Sequence, residues 1–135
     1  MGNIRTLVIE NDLESSIDIG NYLGNKNIDV DFAYNGISAL ELILKNEYDI
    51  IIADTGITKL DAFSLCRKLR TQLFSSIPII LLNKHHDTEF KIKGFNAGAD
   101  DYLLKPILLQ ELHLRIQAII KRGPLRGIGK QRVAE

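Results

Sequence analysis

Several polar residues stand where apolar runs of the sequence end, and their types suit phosphoryl chemistry. Glu10 and Asn11 follow the first run, Asp54 follows the third, Asn83 the fourth and Lys105 the fifth. Carboxylate and amide oxygens are hard ligands of the kind that Mg²⁺ prefers. An aspartate can attack a phosphoryl group, and a lysine can neutralise phosphoryl oxygens. The simpler alternative, that loops after strands are exposed and therefore polar, accounts for one or two of these residues better than for the whole set.

The elements that must position these residues are short apolar strands alternating with longer helical patterns. Apolar runs cover about residues 4–9, 29–34, 48–53, 78–82 and 101–104. Between them, residues such as Leu65 and Leu69 recur at the spacing of one helix face. Continuous apolar strands separated by helices indicate a parallel sheet covered on both faces, and right-handed crossovers make it doubly wound. We therefore predict an α/β fold of (βα)5 type, whose strand ends meet in one crevice.

Composition indicates one ordinary soluble domain. The 135 residues include 17 basic and 17 acidic side chains, so no overall charge favours nucleic acid or a membrane surface. The single cysteine, Cys66, cannot form an internal disulfide, which fits a reducing compartment. No signal peptide is evident, and the apolar run over residues 77–82 is too short to span a bilayer. We expect a cytoplasmic protein that does not enter the membrane.

The pattern changes near the end of the chain. Gly123 and Pro124 break the helical periodicity, and the residues around them are mainly basic. We predict a domain over residues 1–121 and a flexible basic linker or tail over residues 122–135. Contact of this tail with nucleic acid is the alternative.

Four stretches resemble the receiver domains of response regulators in two-component signalling. They are residues 7–12, residues 49–54, the Asn35-Gly36 turn with the helix after it, and residues 98–106, which is the most specific. The resemblance covers residues 4–121 and is strongest, in pattern, to the OmpR-like subfamily of winged-helix transcription factors. It implies a flavodoxin-like (CheY-like) fold with strand order 2-1-3-4-5.

The resemblance also implies a phosphoacceptor and a Mg²⁺ site. Asp54 takes the position of the phosphorylated aspartate, Glu10 and Asn11 those of the acidic pair, and Gly56 that of the residue whose backbone carbonyl binds the metal. The second acidic position is normally an aspartate that binds the metal directly. Asn11 keeps one oxygen there but lacks the negative charge, so we expect weakened Mg²⁺ binding.

Three further positions carry roles in the receiver family. Lys105 resembles the phosphate-binding lysine, and its bond to Pro106 is usually cis in the family. Tyr102 resembles the aromatic switch residue, whose ring rotates when the phosphoryl group is present. Asn83 departs from the family, because Thr or Ser is usual there; its amide can donate to a phosphoryl oxygen, but with a different reach. These departures predict an atypical receiver that accepts phosphate poorly.

A charged cluster resembles the dimer face of the OmpR-like subfamily. That face lies on the fourth helix, fifth strand and fifth helix and forms a symmetric homodimer. The corresponding residues here are Lys91, Asp100, Asp101, Glu111 and Arg115. The alternative is a solvated charged face, and the uncharged Asn96 and Gln117, where the subfamily often carries a charged pair, favour it.

The leading hypothesis is a signalling switch, not an enzyme, forming the N-terminal regulatory part of a transcriptional regulator. A histidine kinase or another phosphodonor would modify it, and DNA would be bound only through a C-terminal domain absent from these 135 residues. The first alternative is a phosphorylation-independent receiver used for protein interaction or dimerisation. A phosphotransfer enzyme using Asp54 is least favoured, because no general base is evident. A metal site at His85 and His86 is disfavoured, because adjacent side chains diverge and no third ligand is suitably spaced.

Overall fold

The structure, a computed structural model, describes the backbone of residues 2–134 and the side chains of residues 2–122. Five parallel strands form a sheet in the order β2-β1-β3-β4-β5. The strands are β1 Ile4–Ile9, β2 Ile28–Ala33, β3 Ile50–Asp54, β4 Ile79–Asn83 and β5 Asp101–Leu104. The helices are α1 Leu13–Gly24, α2 Gly36–Lys45, α3 Ala62–Thr71, α4 Thr88–Ala97 and α5 Leu109–Ala134. The predicted doubly wound α/β fold and its strand order are confirmed.

Local sequence explains where several helices begin and end. Asn35 precedes α2 and its side chain accepts the backbone N–H of Ser38 at 2.8 Å; Asp61 precedes α3 and does the same for Ser64 at 2.9 Å. Such caps satisfy N–H groups that the first helical turn leaves without a partner. Gly98 ends α4 with a φ of 114°, a left-handed conformation that favours glycine.

The core consists of two buried clusters, one on each face of the sheet. β3 is buried along its whole length, and its side chains alternate between them: Ile51 lies in one cluster, while Ile50 and Ile52 lie in the other. Cys66 of α3 belongs to the first cluster, and burial raises the pKa of its thiol to about 11. Ile116 of α5 belongs to the second. Covering both faces in this way leaves the carboxyl ends of the central strands as the open edge of the layer.

The last helix differs most from its predicted extent. The sequence pattern ended it near residue 121, whereas the assigned α5 runs to Ala134. A glycine such as Gly123 lowers helix propensity without forbidding helical backbone. The predicted flexible basic tail falls almost wholly on residues whose side chains lie outside the described part, so it stays a prediction. Within the described residues, no helix is both long and apolar enough to cross a membrane.

Candidate functional site

The structure brings four of the predicted site residues together at one edge of the sheet. Glu10 follows β1, Asp54 ends β3, Asn83 ends β4 and Lys105 follows β5. Glu10 and Asn83 are each 1% exposed and Asp54 is 8% exposed, although all three are polar. Because burying a polar or charged group is costly unless it is paired, each of them must find a partner within this cluster.

Lys105 supplies that partner for both carboxylates. Its Nζ lies 2.7 Å from Oε1 of Glu10 and 2.7 Å from Oδ1 of Asp54. Burial opposes the charge on Lys105, but the hydrogen bonds to Asp54 and Glu10 outweigh burial and raise its pKa. Lys105 therefore carries its positive charge at neutral pH and loses it only as the pH rises through that raised pKa. The bond from Lys105 to Pro106 is cis, as the resemblance implied.

Gly56 lies against the second oxygen of Asp54. Its backbone N–H donates to Oδ2 of Asp54 at 2.8 Å. A Cβ added at Gly56 would lie 2.9 Å from the same oxygen, which is closer than real Cβ atoms come. The absence of a side chain at position 56 thus allows the backbone to approach the carboxylate.

Asn11, the remaining predicted metal ligand, is exposed at the end of β1. The next residue, Asp12, donates its backbone N–H to Oε2 of Glu10 at 3.3 Å. Its own Oδ2 accepts the hydroxyl of Ser15 at 2.7 Å, a hydrogen bond that lowers the pKa of Asp12. Across the described residues, no group of three or more His, Cys, Asp or Glu side chains is placed to hold a metal ion. Of the predicted metal ligands, the carboxylates of Glu10 and Asp54 are therefore buried together, whereas the neutral amide of Asn11 is exposed.

Asn83 is held by a chain of hydrogen bonds that the sequence did not indicate. The hydroxyl of Thr55 donates to Oδ1 of Asn83 at 2.7 Å, and Nδ2 of Asn83 donates to the hydroxyl of Tyr102. The backbone carbonyl of His85 lies 3.4 Å from Nδ2 and 3.5 Å from the Tyr102 hydroxyl. We call these four groups the Asn83 chain. Sequence reasoning missed Thr55, whose position directly after Asp54 was the one available signal.

Tyr102 is the predicted switch residue, and its ring is partly buried. It packs against the cluster of the α2, α3 and α4 face. A Cβ added at Gly94 of α4 would lie 3.6 Å from Cδ2 of the ring, so the ring sits close to that helix. Its hydroxyl reaches Asn83 at the strand ends. Tyr102 therefore connects the candidate site with α4.

Four residues of the predicted dimer face lie on the exposed side of α4, β5 and α5. Arg115 lies 3.4 Å from Asp101 and 3.4 Å from Glu111, so these three charges form ion pairs within the chain. Lys91 is exposed on α4. Together they leave a surface of mixed charge beside Tyr102.

Asp100 was assigned to that face and is placed differently. Its carboxylate lies 3.0 Å from Nη2 of Arg70 and accepts the backbone N–H of Ile79 at 2.8 Å. It is therefore directed toward the α3 side of the sheet, where it pairs β5 with the start of β4. The sequence gives the charge of Asp100 but not its pairing with Arg70, and its part in a dimer face stays a prediction.

The histidine pair is not part of the site. His85 and His86 are exposed, as predicted for a loop. The ring of His85 stacks on Phe90 with centroids 4.9 Å apart. Only the backbone carbonyl of His85 takes part in the Asn83 chain.

Comparison with known proteins gives a consistent result. The family model described as "Response regulator receiver domain" matches residues 6–117. Response regulator ArlR of Staphylococcus haemolyticus is 35% identical over 128 residues, which are 95% of this chain and 57% of that protein. The Staphylococcus aureus protein of the same name is 36% identical over 122 residues, 90% of this chain and 55% of the relative. The chain thus spans about half the length of the curated relatives that it matches.

Solved structures agree with this assignment. The receiver domain of Francisella response regulator 1452 superposes with a TM-score of 0.85 at 37% identity, over 90% of this chain and 99% of that one. A response regulator described as putative, from Chloroflexus aurantiacus, gives 0.84 at 34% identity, over 89% and 99%. The family model matches residues 6–117, the strand order agrees with it, and Lys105 pairs with the two buried carboxylates, Glu10 and Asp54. We conclude that the chain belongs to the response regulator receiver domain family.

Proposed function

We propose that this receiver works as a switch in which Asp54 is the phosphoacceptor and the α4-β5-α5 surface carries the output. The observation that supports the role of Asp54 is the position of Lys105, 2.7 Å from Asp54 and 2.7 Å from Glu10. A lysine in that position can remain paired with a negatively charged group added to Asp54, because its ammonium is a compact charge on a flexible side chain.

The reaction would be a transfer to one carboxylate oxygen of Asp54. That oxygen bonds to phosphorus while the bond from phosphorus to the leaving group of a histidine kinase phosphohistidine, or of a small phosphodonor, breaks and the leaving group takes the electron pair. Lys105 would neutralise phosphoryl oxygens of the resulting acyl phosphate. Each domain is modified once, which is signalling rather than steady catalytic turnover.

The donor set also fits Mg²⁺, with a reduced charge. Glu10, Asn11, Asp54 and the backbone carbonyl of Gly56 would hold the ion, and all are hard oxygen ligands. A bound Mg²⁺ would neutralise both the carboxylate and the incoming phosphoryl group. Replacing one ligand charge by the amide of Asn11 removes up to about 4 kcal/mol of attraction, taken as a close pair at an effective dielectric constant near 20. We therefore propose that Asp54 accepts phosphate slowly.

Restoring the family pattern tests this proposal. The wild type and an Asn11→Asp, Asn83→Thr double variant are incubated with acetyl phosphate and Mg²⁺, and the acyl phosphate is measured by intact mass. We expect clear modification in the double variant and little in the wild type, because the variant regains the third carboxylate. Asp54→Ala in the double variant is the control and should abolish the signal. Rapid, nearly stoichiometric labelling of the wild type would show that Asn11 and Asn83 suffice.

A second function, as a phosphorylation-independent interaction or dimerisation module, is favoured by one observation. Tyr102 is already hydrogen-bonded to Asn83 in the unmodified chain. A receiver whose switch residue is held in this way would present one surface constantly. Steady hydrolysis of a phosphate ester would instead favour a phosphotransfer enzyme that uses Asp54.

The role of the whole protein follows from the resemblance to the winged-helix subfamily. We propose that the domain regulates transcription through a C-terminal DNA-binding domain beyond these 135 residues, since the curated relatives are about twice as long as the match. A cytoplasmic location and a histidine kinase partner belong to the same proposal.

A further inference from the structure

The orientation of the Asn83 amide is fixed by its surroundings. A carbonyl only accepts hydrogen bonds, and the His85 carbonyl lies 3.4 Å from Nδ2. Turning the amide over would place Oδ1 beside that carbonyl, so that two acceptors would face each other. In the observed orientation Oδ1 faces Thr55, whose hydroxyl must then donate.

The remaining protons follow from this orientation. Nδ2 has two hydrogens, one directed to the hydroxyl of Tyr102 and one to the His85 carbonyl. The Tyr102 oxygen accepts from Asn83, which leaves its own proton for the His85 carbonyl at 3.5 Å. Both hydrogens of the Asn83 amide are therefore donated to other members of the Asn83 chain. An anion on Asp54 can reach this amide only by displacing Tyr102 or His85.

Burial makes the arrangement costly to break. Asn83 is 1% exposed, so water cannot readily replace a lost partner. Thr55 is the donor found for Oδ1, at 2.7 Å, and without it that oxygen would be a buried acceptor lacking a partner. The amide would then turn or withdraw, and Nδ2 would leave the Tyr102 hydroxyl.

We propose that Thr55 is a positioning residue, which acts through Asn83 to hold the Tyr102 hydroxyl at the carboxyl end of the sheet with no group bound to Asp54. This deepens the phosphorylation-independent form of the proposed function. It is tested without any phosphodonor, so it can fail while Asp54 remains a phosphoacceptor, and it can hold if Asp54 is never modified.

The experiment reads the Tyr102 hydroxyl directly. Tyrosine labelled with ¹³C at Cζ, the carbon that bears the hydroxyl, gives one NMR signal for each of the four tyrosines, and Tyr102→Phe identifies the signal of interest. Wild type, Thr55→Ser and Thr55→Val are compared. Serine keeps the donor, whereas valine keeps the shape and removes it.

We expect the Tyr102 signal to coincide in the wild type and Thr55→Ser and to shift in Thr55→Val. The other three signals should stay in place, which distinguishes loss of the hydrogen bond from a general change of fold. An unmoved Tyr102 signal in Thr55→Val, or an equal shift in Thr55→Ser, would overturn the proposal.

Asn83→Thr provides the second variant if Thr55→Val does not fold. A threonine side chain is too short to bridge from Thr55 to Tyr102, so the Tyr102 signal should shift there as well. A signal at the wild-type position in this variant would show that packing against α4 alone holds the ring.

Discussion

Arg70 of α3 joins two separate turns of the chain. Its Nε and Nη2 donate to the carbonyl of Gly98 at 3.0 and 2.8 Å, and its Nη1 donates to the carbonyls of Ser75 and Ile77 at 2.9 and 2.7 Å. The same guanidinium pairs with Asp100. Only the planar fork of arginine offers donors in so many directions at once.

Replacing Arg70 by lysine should therefore destabilise the domain. A lysine cannot reach all of these acceptors, and a charge-assisted hydrogen bond contributes roughly 1.5–3 kcal/mol, so we expect the free energy of unfolding to fall by about 2 kcal/mol. Urea denaturation measures the loss. Arg67→Lys is the matched control on the same helix: Arg67 is exposed, its hydrogen bond to Ser64 is 3.2 Å long, and its effect should stay within about 0.5 kcal/mol. Equal losses in the two variants would contradict this role for Arg70.

At the level of residues, the sequence predicted that the main charged side chains meet but not which atoms bond. Glu10, Asp54 and Lys105 could be brought together from pattern alone, because parallel strands place their carboxyl ends at one edge. The partners of Asn83 could not be predicted in this way. An amide can donate and accept in either orientation, and the choice depends on a carbonyl of the following loop, whose position no periodicity specifies.

At the level of elements, the start of α3 depends on Asp61, the residue that precedes and caps it. Asp61 accepts the N–H of Ser64 at 2.9 Å and the Ser64 hydroxyl at 2.8 Å. Burial alone would raise the pKa of Asp61, but these hydrogen bonds act together to lower it. The ionised carboxylate of Asp61 is thus the form that caps α3.

Removing this cap should cost stability in a pH-dependent way. We expect Asp61→Ala to lower the free energy of unfolding at pH 7 by about 1 kcal/mol. Because the folded pKa lies below the unfolded value near 3.9, the contribution is complete above that value and is lost as the pH falls through the folded pKa. The difference between the two proteins should therefore begin to shrink below about pH 4 and vanish only below the folded pKa. Denaturation at a series of pH values measures this. Asp61→Ser keeps a non-titrating cap, and its difference from Asp61→Ala should not change with pH; a parallel change would argue against the carboxylate.

The existence of every strand was predictable, whereas several ends were displaced by a residue or two. The third apolar run was predicted over residues 48–53, and β3 is Ile50–Asp54. Asp49 explains the difference, because its carboxylate accepts the N–H of Arg5 at 2.8 Å and so takes a hydrogen bond that a longer strand would have made. Tyr48 is buried by tertiary contact and donates its hydroxyl to Asp31. A buried apolar residue just before a strand therefore cannot be distinguished, by sequence pattern alone, from a residue of the strand.

For the whole molecule, the α4-β5-α5 surface is the predicted dimer face, and its association should be weak. A two-fold contact would bring Lys91 of one chain to Glu111 of the other and the reverse. Glu111 already pairs with Arg115 within its own chain, and exposed ion pairs contribute only about 0.2–1 kcal/mol. We expect sedimentation to show a monomer that associates at high concentration, and Glu111→Lys to weaken that association.

A charge reversal elsewhere separates this contact from the effect of net charge. Glu41 is exposed on α2, away from the proposed face, so Glu41→Lys changes the net charge equally and should leave association unchanged. Sedimentation that does not vary across a wide range of concentration, or equal weakening by both variants, would count against the face.

The strand order also affects whether copies of the protein can pair through the edges of their sheets. β2 and β5 are the outer strands of the sheet, and outer strands have unpaired backbone groups that can recruit another chain. β5 is only four residues long, and β2 carries two acidic residues, Asp29 and Asp31. A short edge strand and charged residues on an edge strand are two features that discourage pairing with another chain, so we expect the edges of this sheet to contribute little to self-association.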